Sequence, residues 1–158
     1  MESVRPATRA DADACAELCR RALQELSAVR GGVLFTRRET GLLAKALMRP
    51  GGLDRLLSDN RRIVVVGLVD DAIVGFGIAR AESVGEGVHG ILDACFVDPE
   101  VRGVGVGRAI LDMLTGWLAS RGCKGVDAQA LPGQRETKSF YEAAGFKARL
   151  ITMHREIP

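Results

Sequence analysis

Residues Val101-Arg102-Gly103-Val104-Gly105-Val106-Gly107-Arg108-Ala109 set three glycines at alternate positions between two arginines. The segments on either side limit what that spacing can be. Gly90 to Val97 is apolar and reads as a strand closed by Asp98-Pro99-Glu100, while Ile110, Leu111, Leu114, Trp117 and Leu118 recur at three- and four-residue intervals and predict a helix over 109–121. A strand, a glycine turn and a helix leave unpaired backbone N–H groups at the helix start, all aimed into one concavity. Glycines let the main chain approach a ligand without Cβ interference, so phosphate or pyrophosphate is the natural guest. The plainer alternative is a turn whose glycines only supply unusual dihedrals; Arg102 and Arg108 favour the anion site.

Elsewhere the hydrophobic period changes along the chain. A short strand over 4–8 and a helix over 11–26, with Leu18, Ala22, Leu23 and Leu26 on one stripe, come first. Gly31-Gly32 breaks that run. Thr36 and Glu39 form a capping-box pattern that predicts a helix through Leu42, Leu43, Ala46 and Leu47 as far as Pro50-Gly51-Gly52. The β-branched run Ile63 to Val69, the turn Asp70-Asp71 and the run Ile73 to Ala81 predict a hairpin, with Gly85-Glu86-Gly87 turning into the strand before the glycines. After the central helix, Gly122 caps and residues 125–130 predict a strand parallel to the one before it. A helix over 134–144 and one or two strands over 146–155 complete the chain. The expected architecture is an α/β (α+β) mixed sheet of six to seven strands flanked by about four helices. It is antiparallel in its first half, and residues 1–158 form a single domain. The glycines fall where connectivity changes, which is where ligands of α/β sheets gather.

Composition removes several classes of function. A formal charge of +2 gives no reason to expect nucleic acid as the main partner. No apolar run approaches the roughly 20 residues of a membrane span, and Glu2, Asp11 and Asp13 interrupt any signal core, so no membrane partner and a cytoplasmic protein are expected. Cys15 and Cys19 are four apart on a helix, where Cβ atoms stand about 5–6 Å apart, too far for a disulfide. With Cys95, Cys123 and only His89 and His154 besides, no metal spacing exists, and the cysteines read as small core residues.

Three nucleotide frames can be tried on the glycines. A dinucleotide fingerprint requires a glycine or alanine where Arg108 or Ile110 stands, and a Walker loop requires a Gly-Lys-Ser/Thr that is absent. The frame Arg102-x-x-Gly105-x-Gly107 resembles the Gln/Arg-x-x-Gly-x-Gly/Ala signature of the GNAT superfamily of acyl-CoA-dependent N-acyltransferases. The segment Phe140-Tyr141-Glu142-Ala143-Ala144-Gly145-Phe146 resembles that family's Tyr-Glu-x-x-Gly-Phe segment, and Val4-Arg5-Pro6-Ala7-Thr8 its opening. The resemblance implies that acetyl-CoA is the co-substrate. Its pyrophosphate would lie on the N–H groups of Gly103, Val104, Gly105, Val106, Gly107 and Arg108, beside Arg102. Its pantetheine arm would pair with Cys95, Phe96 and Val97, the N–H near Val97 polarising the thioester carbonyl. Tyr141 falls where many members place the acid that protonates the leaving thiolate; packing beside Phe140 and Phe146 is the other reading. Gln134 stands where many members have a cofactor-contacting asparagine, and Gln129 where some carry a base.

An ammonium must lose its proton before it attacks a thioester. Alternation along the strand puts His89, Ile91, Asp93, Cys95 and Val97 on one face, which makes Asp93 the first candidate base, ahead of Asp127, Glu82, His89 and water; a salt-bridged strand acid is the alternative. The expected activity is acetyl transfer to a primary amine by direct attack in a ternary complex. A covalent route through Cys95 or Cys123 lacks a base partner for the thiol. The other class is a non-catalytic acyl-CoA sensor or interaction module. The acceptor, a small-molecule or peptide amine, is left open, although few aromatic residues leave little scope for an aromatic cage. Exposed sheet edges leave a homodimer open as well.

Overall fold

The computed structural model describes residues 1–39 and 45–158. Strands β1 (Glu2–Pro6), β2 (Arg62–Val69), β3 (Ala72–Val84), β4 (Gly87–Val97) and β5 (Val126–Asp127) lie in that spatial order, antiparallel from β1 to β4 and parallel between β4 and β5. The β2–β3 hairpin closes on Asp70 and Asp71, with φ of 46° and 67°. This left-handed pair matches the twist of the flanking strands, and aspartate tolerates it better than most residues.

The sheet has two buried faces. Val64, Val66, Phe76 and Ile78 project toward α1 (Ala12–Ser27), α2 (Gly32–Arg38) and α3 (Gly52–Ser58), in a core that includes Leu18, Leu53 and Leu56. Val65, Ala79, Leu92 and Val97 project the other way, onto α4 (Val106–Ser120) and α5 (Arg135–Ala143). Two glycines set how close α4 lies. A Cβ on Gly67 would stand 2.5 Å from Val106 Cγ1, and one on Gly77 would stand 2.6 Å from both Ile110 Cγ2 and Leu114 Cδ1. Such distances are well inside van der Waals contact, so the side chains of α4 occupy volume that other residues would fill.

Several sequence expectations are corrected. Thr36 does not open a helix: α2 starts at Gly32 after a left-handed Gly31 (φ 79°), and the Thr36 hydroxyl donates to Val33 O (3.0 Å) inside it. Leu42 and Leu43 lie outside the described residues. The fifth strand pairs over two residues instead of six, and residues 146–158 adopt no regular structure, so five strands are present among the described residues where six or seven were expected. The cause of the short fifth strand lies in β4. Pairing with β5 ends at Ile91↔Asp127, and β4 then bulges, because Leu92 faces Ala79 while Ala94 faces Ile78 and leaves Asp93 as the extra residue. A bulge bends its strand and sharpens its twist, which takes β4 away from β5. So short a fifth strand offers little template for a sixth. Leu150, Ile151, Met153 and Ile157 accordingly stay exposed, and Arg149 ties the segment to Asp127.

Candidate active site

Where β4 and β5 part, a cavity of about 390 Å³ opens through the sheet. One wall is the continuous stretch from Leu92 to Val97 and another is the glycine turn. Tyr141, Phe140 and Gln134 close it on the α4–α5 side, and Leu23, Leu26 and Phe35 on the α1–α2 side.

The turn is shaped by two residues only glycine suits. Gly103 and Gly105 have φ of 90° and 98°, and a Cβ on either would meet no atom within 4 Å, so the need is conformational and the space in front of the turn is open. Gly105 caps α4, which begins at Val106, three residues earlier than the apolar period implied. None of the N–H groups from Gly103 through Arg108 donates to a described residue, the next bond being Ala109 N–H to Gly105 O at 3.0 Å. This run, unpartnered among the described residues at the positive end of a helix of 15 residues, has the geometry expected of an anion cradle.

The arginines play a different part from the one their spacing suggested. Arg102 donates through Nε to Val97 O (3.0 Å) and through Nη2 to Glu25 (2.8 Å), and its guanidinium lies 5.6 Å from the Phe96 ring centroid. It fastens the turn to β4 and α1. Arg108 reaches Asp112 (2.9 Å), one turn along α4. Gln134 accepts from Leu131 N–H (3.0 Å), which shapes the turn before α5. The cradle is therefore main chain, with the side chains bracing it.

Beside the cradle, β4 presents a free edge. Asp98 N–H bonds Val74 O at 2.8 Å, and the alternation of an antiparallel ladder then turns the backbone groups of Val97 and Cys95 away from β3. That Arg102 can reach Val97 O from the cavity side agrees. A second chain in extended form could bond to this edge as a strand does.

Tyr141 packs between Phe140 and Phe146, with ring centroids 5.4 and 5.2 Å away, and its hydroxyl has no hydrogen bond to a described residue. Burial, with a smaller contribution from Cys95, pushes that hydroxyl well above its usual range, so it stays protonated at neutral pH. Burial likewise pushes the Cys95 thiol up to about 12, which leaves no thiolate for a covalent route. All four cysteines are free, and no cluster of metal-ligating side chains occurs among the described residues.

The bulge corrects the strand-face argument for Asp93. Leu92, Cys95 and Val97 face α4, but Asp93 is turned to the α1 face, where its carboxylate accepts from Arg62 (3.0 Å) and Arg80 (3.1 Å). It touches the cavity, yet as the acceptor of two guanidinium groups. Glu82 bonds Arg80 (2.7 Å), and His89 Nε2 lies 3.0 Å from Asp127 without the alignment of a hydrogen bond. None of these three lines the cavity. The sequence reading also missed an aromatic assembly. Of five phenylalanines, one tyrosine and one tryptophan, Phe35, Phe76, Phe96, Phe140 and Tyr141 line this one cavity. Phe76 and Phe96 face each other across the β3–β4 ladder, a pairing visible only once the register is known.

Residues 34–146 match the Acetyltransferase (GNAT) family, and the chain belongs to that family. No curated protein sequence matches it. Solved structures share its fold at low identity. A variant of the BH1408 protein from Bacillus halodurans superposes with a TM-score of 0.82 at 18% identity, covering 99% of each chain. The glucosamine-6-phosphate N-acetyltransferase from Arabidopsis thaliana gives 0.70 at 19%, over 100% of this chain and 99% of that one. The aminoglycoside N-acetyltransferase AAC(6')-Iy in complex with CoA gives 0.74 at 17%, over 99% and 95%.

Proposed function

We propose that the protein transfers an acetyl group from acetyl-CoA to a primary amine by direct attack within a ternary complex. The observation that carries this reading is continuity: the unpartnered N–H run at Gly103–Arg108 adjoins the free edge of β4, and Tyr141 lies in the same cavity. The pyrophosphate takes the cradle, and the pantetheine arm runs back along Val97, Phe96 and Cys95. One backbone N–H on that edge, at Val97 or Cys95, polarises the thioester carbonyl, a contribution of about 3 kcal/mol for one well-aimed donor. CoA-bound neighbours of the same fold support the choice of co-substrate.

The two sides of the cavity divide the labour. The amine enters from the α1–α2 side and attacks the carbonyl carbon; the thiolate leaves toward α5, where Tyr141 donates its proton. Because the carboxylate of Asp93 is already bonded to two arginines, the proton leaving the amine passes to water in the open cavity. A homodimer is part of the proposal, resting on the apolar residues exposed over 150–157 and on the open edge of β5; light scattering tests it, and a monomer at all concentrations removes it.

Free CoA thiol should accumulate when the protein meets acetyl-CoA and a broad amine panel, and not with acetyl-CoA alone. Thermal stabilisation by acetyl-CoA with no thiol released by any amine would favour the sensor.

A further inference from the structure

The cavity carries more charge than it can offer to a ligand. Glu25 is bonded to Arg102 (2.8 Å), Asp93 to Arg62 and Arg80 (3.0 and 3.1 Å), and Arg108 to Asp112 (2.9 Å). Glu136, 92% exposed at the rim, stands 4.0 Å from Arg102, at the outer limit of an ion pair. An acceptor with several ammonium groups would find no free carboxylate inside, and a phosphorylated one would find no free cation beyond the cradle. Asp93, 12% exposed, is sheltered enough that drawing an arginine away from it would leave a poorly compensated charge.

What the acyl end does present is hydrocarbon. The donor's arm runs from the cradle back toward Leu92, so its acyl group lies on the far side of Val97 from the glycine turn. That region, on the α1 face, is bounded by Ala22 and Leu23 of α1, Phe35 of α2, and Phe76, Ala94 and Phe96 of the sheet. Small-molecule sites are shaped by apolar walls with few polar groups, and the one charged group on this wall, Asp93, is already bonded to two arginines.

We infer that the acceptor is a monoamine on an apolar body, an arylalkyl or branched-alkyl primary amine, bound against Phe35 and Phe96, with Phe76 backing Phe96 from the core. The inference rests on the acetyl-transfer reading and narrows it. Phe35 is the residue that selects, because it comes from the short α2 and is half-buried, whereas Phe76 is fully buried in the core. The class differs from the sugar amines named for structural neighbours, whose likeness to this chain is one of fold.

The test compares phenethylamine, isoamylamine, glucosamine 6-phosphate and kanamycin as acceptors of acetyl-CoA by thiol release. The two apolar amines should exceed both sugar amines in kcat/KM by about tenfold or more, the scale on which apolar contacts discriminate. Phe35→Ala should lower kcat/KM for phenethylamine by about tenfold and leave the acetyl-CoA Kd within about twofold, while Phe35→Leu recovers most of the loss. Phe35→Asp, which puts a free carboxylate into the cavity, should shift the preference toward kanamycin. Melting temperatures of the variants separate misfolding from lost selection. Preference for either sugar amine, or an unchanged phenethylamine rate in Phe35→Ala, overturns the inference and leaves acetyl transfer standing. Acetyl-CoA binding without turnover of any amine, or no acetyl-CoA binding at all, would instead remove the underlying acetyl-transfer reading.

Discussion

Replacing Tyr141 with phenylalanine removes one oxygen and keeps the ring between Phe140 and Phe146, where centroid spacings of 5.4 and 5.2 Å hold it. The lost hydroxyl makes no hydrogen bond to a described residue, so folding loses nothing it depended on, and the change in stability should stay within about 0.5 kcal/mol. Chemistry should suffer far more. If the hydroxyl protonates the departing thiolate, its loss should lower kcat by about 100- to 1000-fold, a barrier increase of ~3–4 kcal/mol. The KM for acetyl-CoA should barely move, because the cradle and the edge of β4 are untouched. The pH profile adds a second reading. Burial raises this hydroxyl's pKa well above its ordinary value near 10, so the acid form persists and wild-type kcat should show no alkaline fall from tyrosine ionisation up to about pH 10. Steady-state rates by thiol detection from about pH 6 to 10 measure both. A kcat within threefold of wild type would refute the assignment and return the residue to packing, whereas an alkaline limb below about pH 10 that vanishes in Tyr141→Phe would keep the acid role and refute the raised pKa.

Three further outcomes follow from the geometry. Gly105→Ala places a side chain at φ 98°, at a cost of about 1–2 kcal/mol, and should weaken acetyl-CoA binding by calorimetry at least about tenfold as the cradle distorts. In Gly77→Ala the added methyl presses on Ile110 and Leu114 at 2.6 Å, which should destabilise the protein by about 1–3 kcal/mol in urea. Asp11, only 5% exposed, accepts from Arg5 (2.7 Å) and from Thr8 N–H (2.7 Å), and these bonds hold its carboxyl well below the usual range. A depressed folded-state pKa stabilises above the unfolded value near 3.9 and is lost as pH falls toward the folded one. Asp11→Asn should therefore cost about 1–3 kcal/mol at pH 7 and shrink the loss of stability below about pH 4.

Order and type of most elements from β1 through α5 were legible because each rests on local chemistry, while the helix start at Thr36 and the strands after 146 were misread. The β2–β3 hairpin follows from its Asp-Asp turn, α1 and α4 from their apolar stripes, and the cradle from glycines whose dihedrals no other residue adopts easily. What escaped depends on register or tertiary placement. The bulge at Asp93 leaves no composition signal, yet it turned the favoured base onto the opposite face and opened the gap that forms the site. The ion pair of Arg102 with Glu25 joins the glycine turn to α1 across 77 residues, which spacing cannot specify, whereas Arg108 and Asp112 form an i,i+4 pair within α4. Phe35, Phe76 and Phe96 are distant in sequence and meet only in the fold. One clue was available: Gly75 and Gly77 lie two apart on β3, and Gly67 pairs with Gly75, so three glycines mark the track on which α4 rests.

The central claim, that main-chain donors of the glycine turn and the free edge of β4 hold acetyl-CoA, is tested most directly by amide proton–nitrogen correlation spectra of the labelled protein titrated with CoA. The largest shifts should fall on the amides of Gly103 through Arg108, with Cys95 and Val97 following. Saturable binding that leaves those amides unmoved and shifts another surface would contradict it.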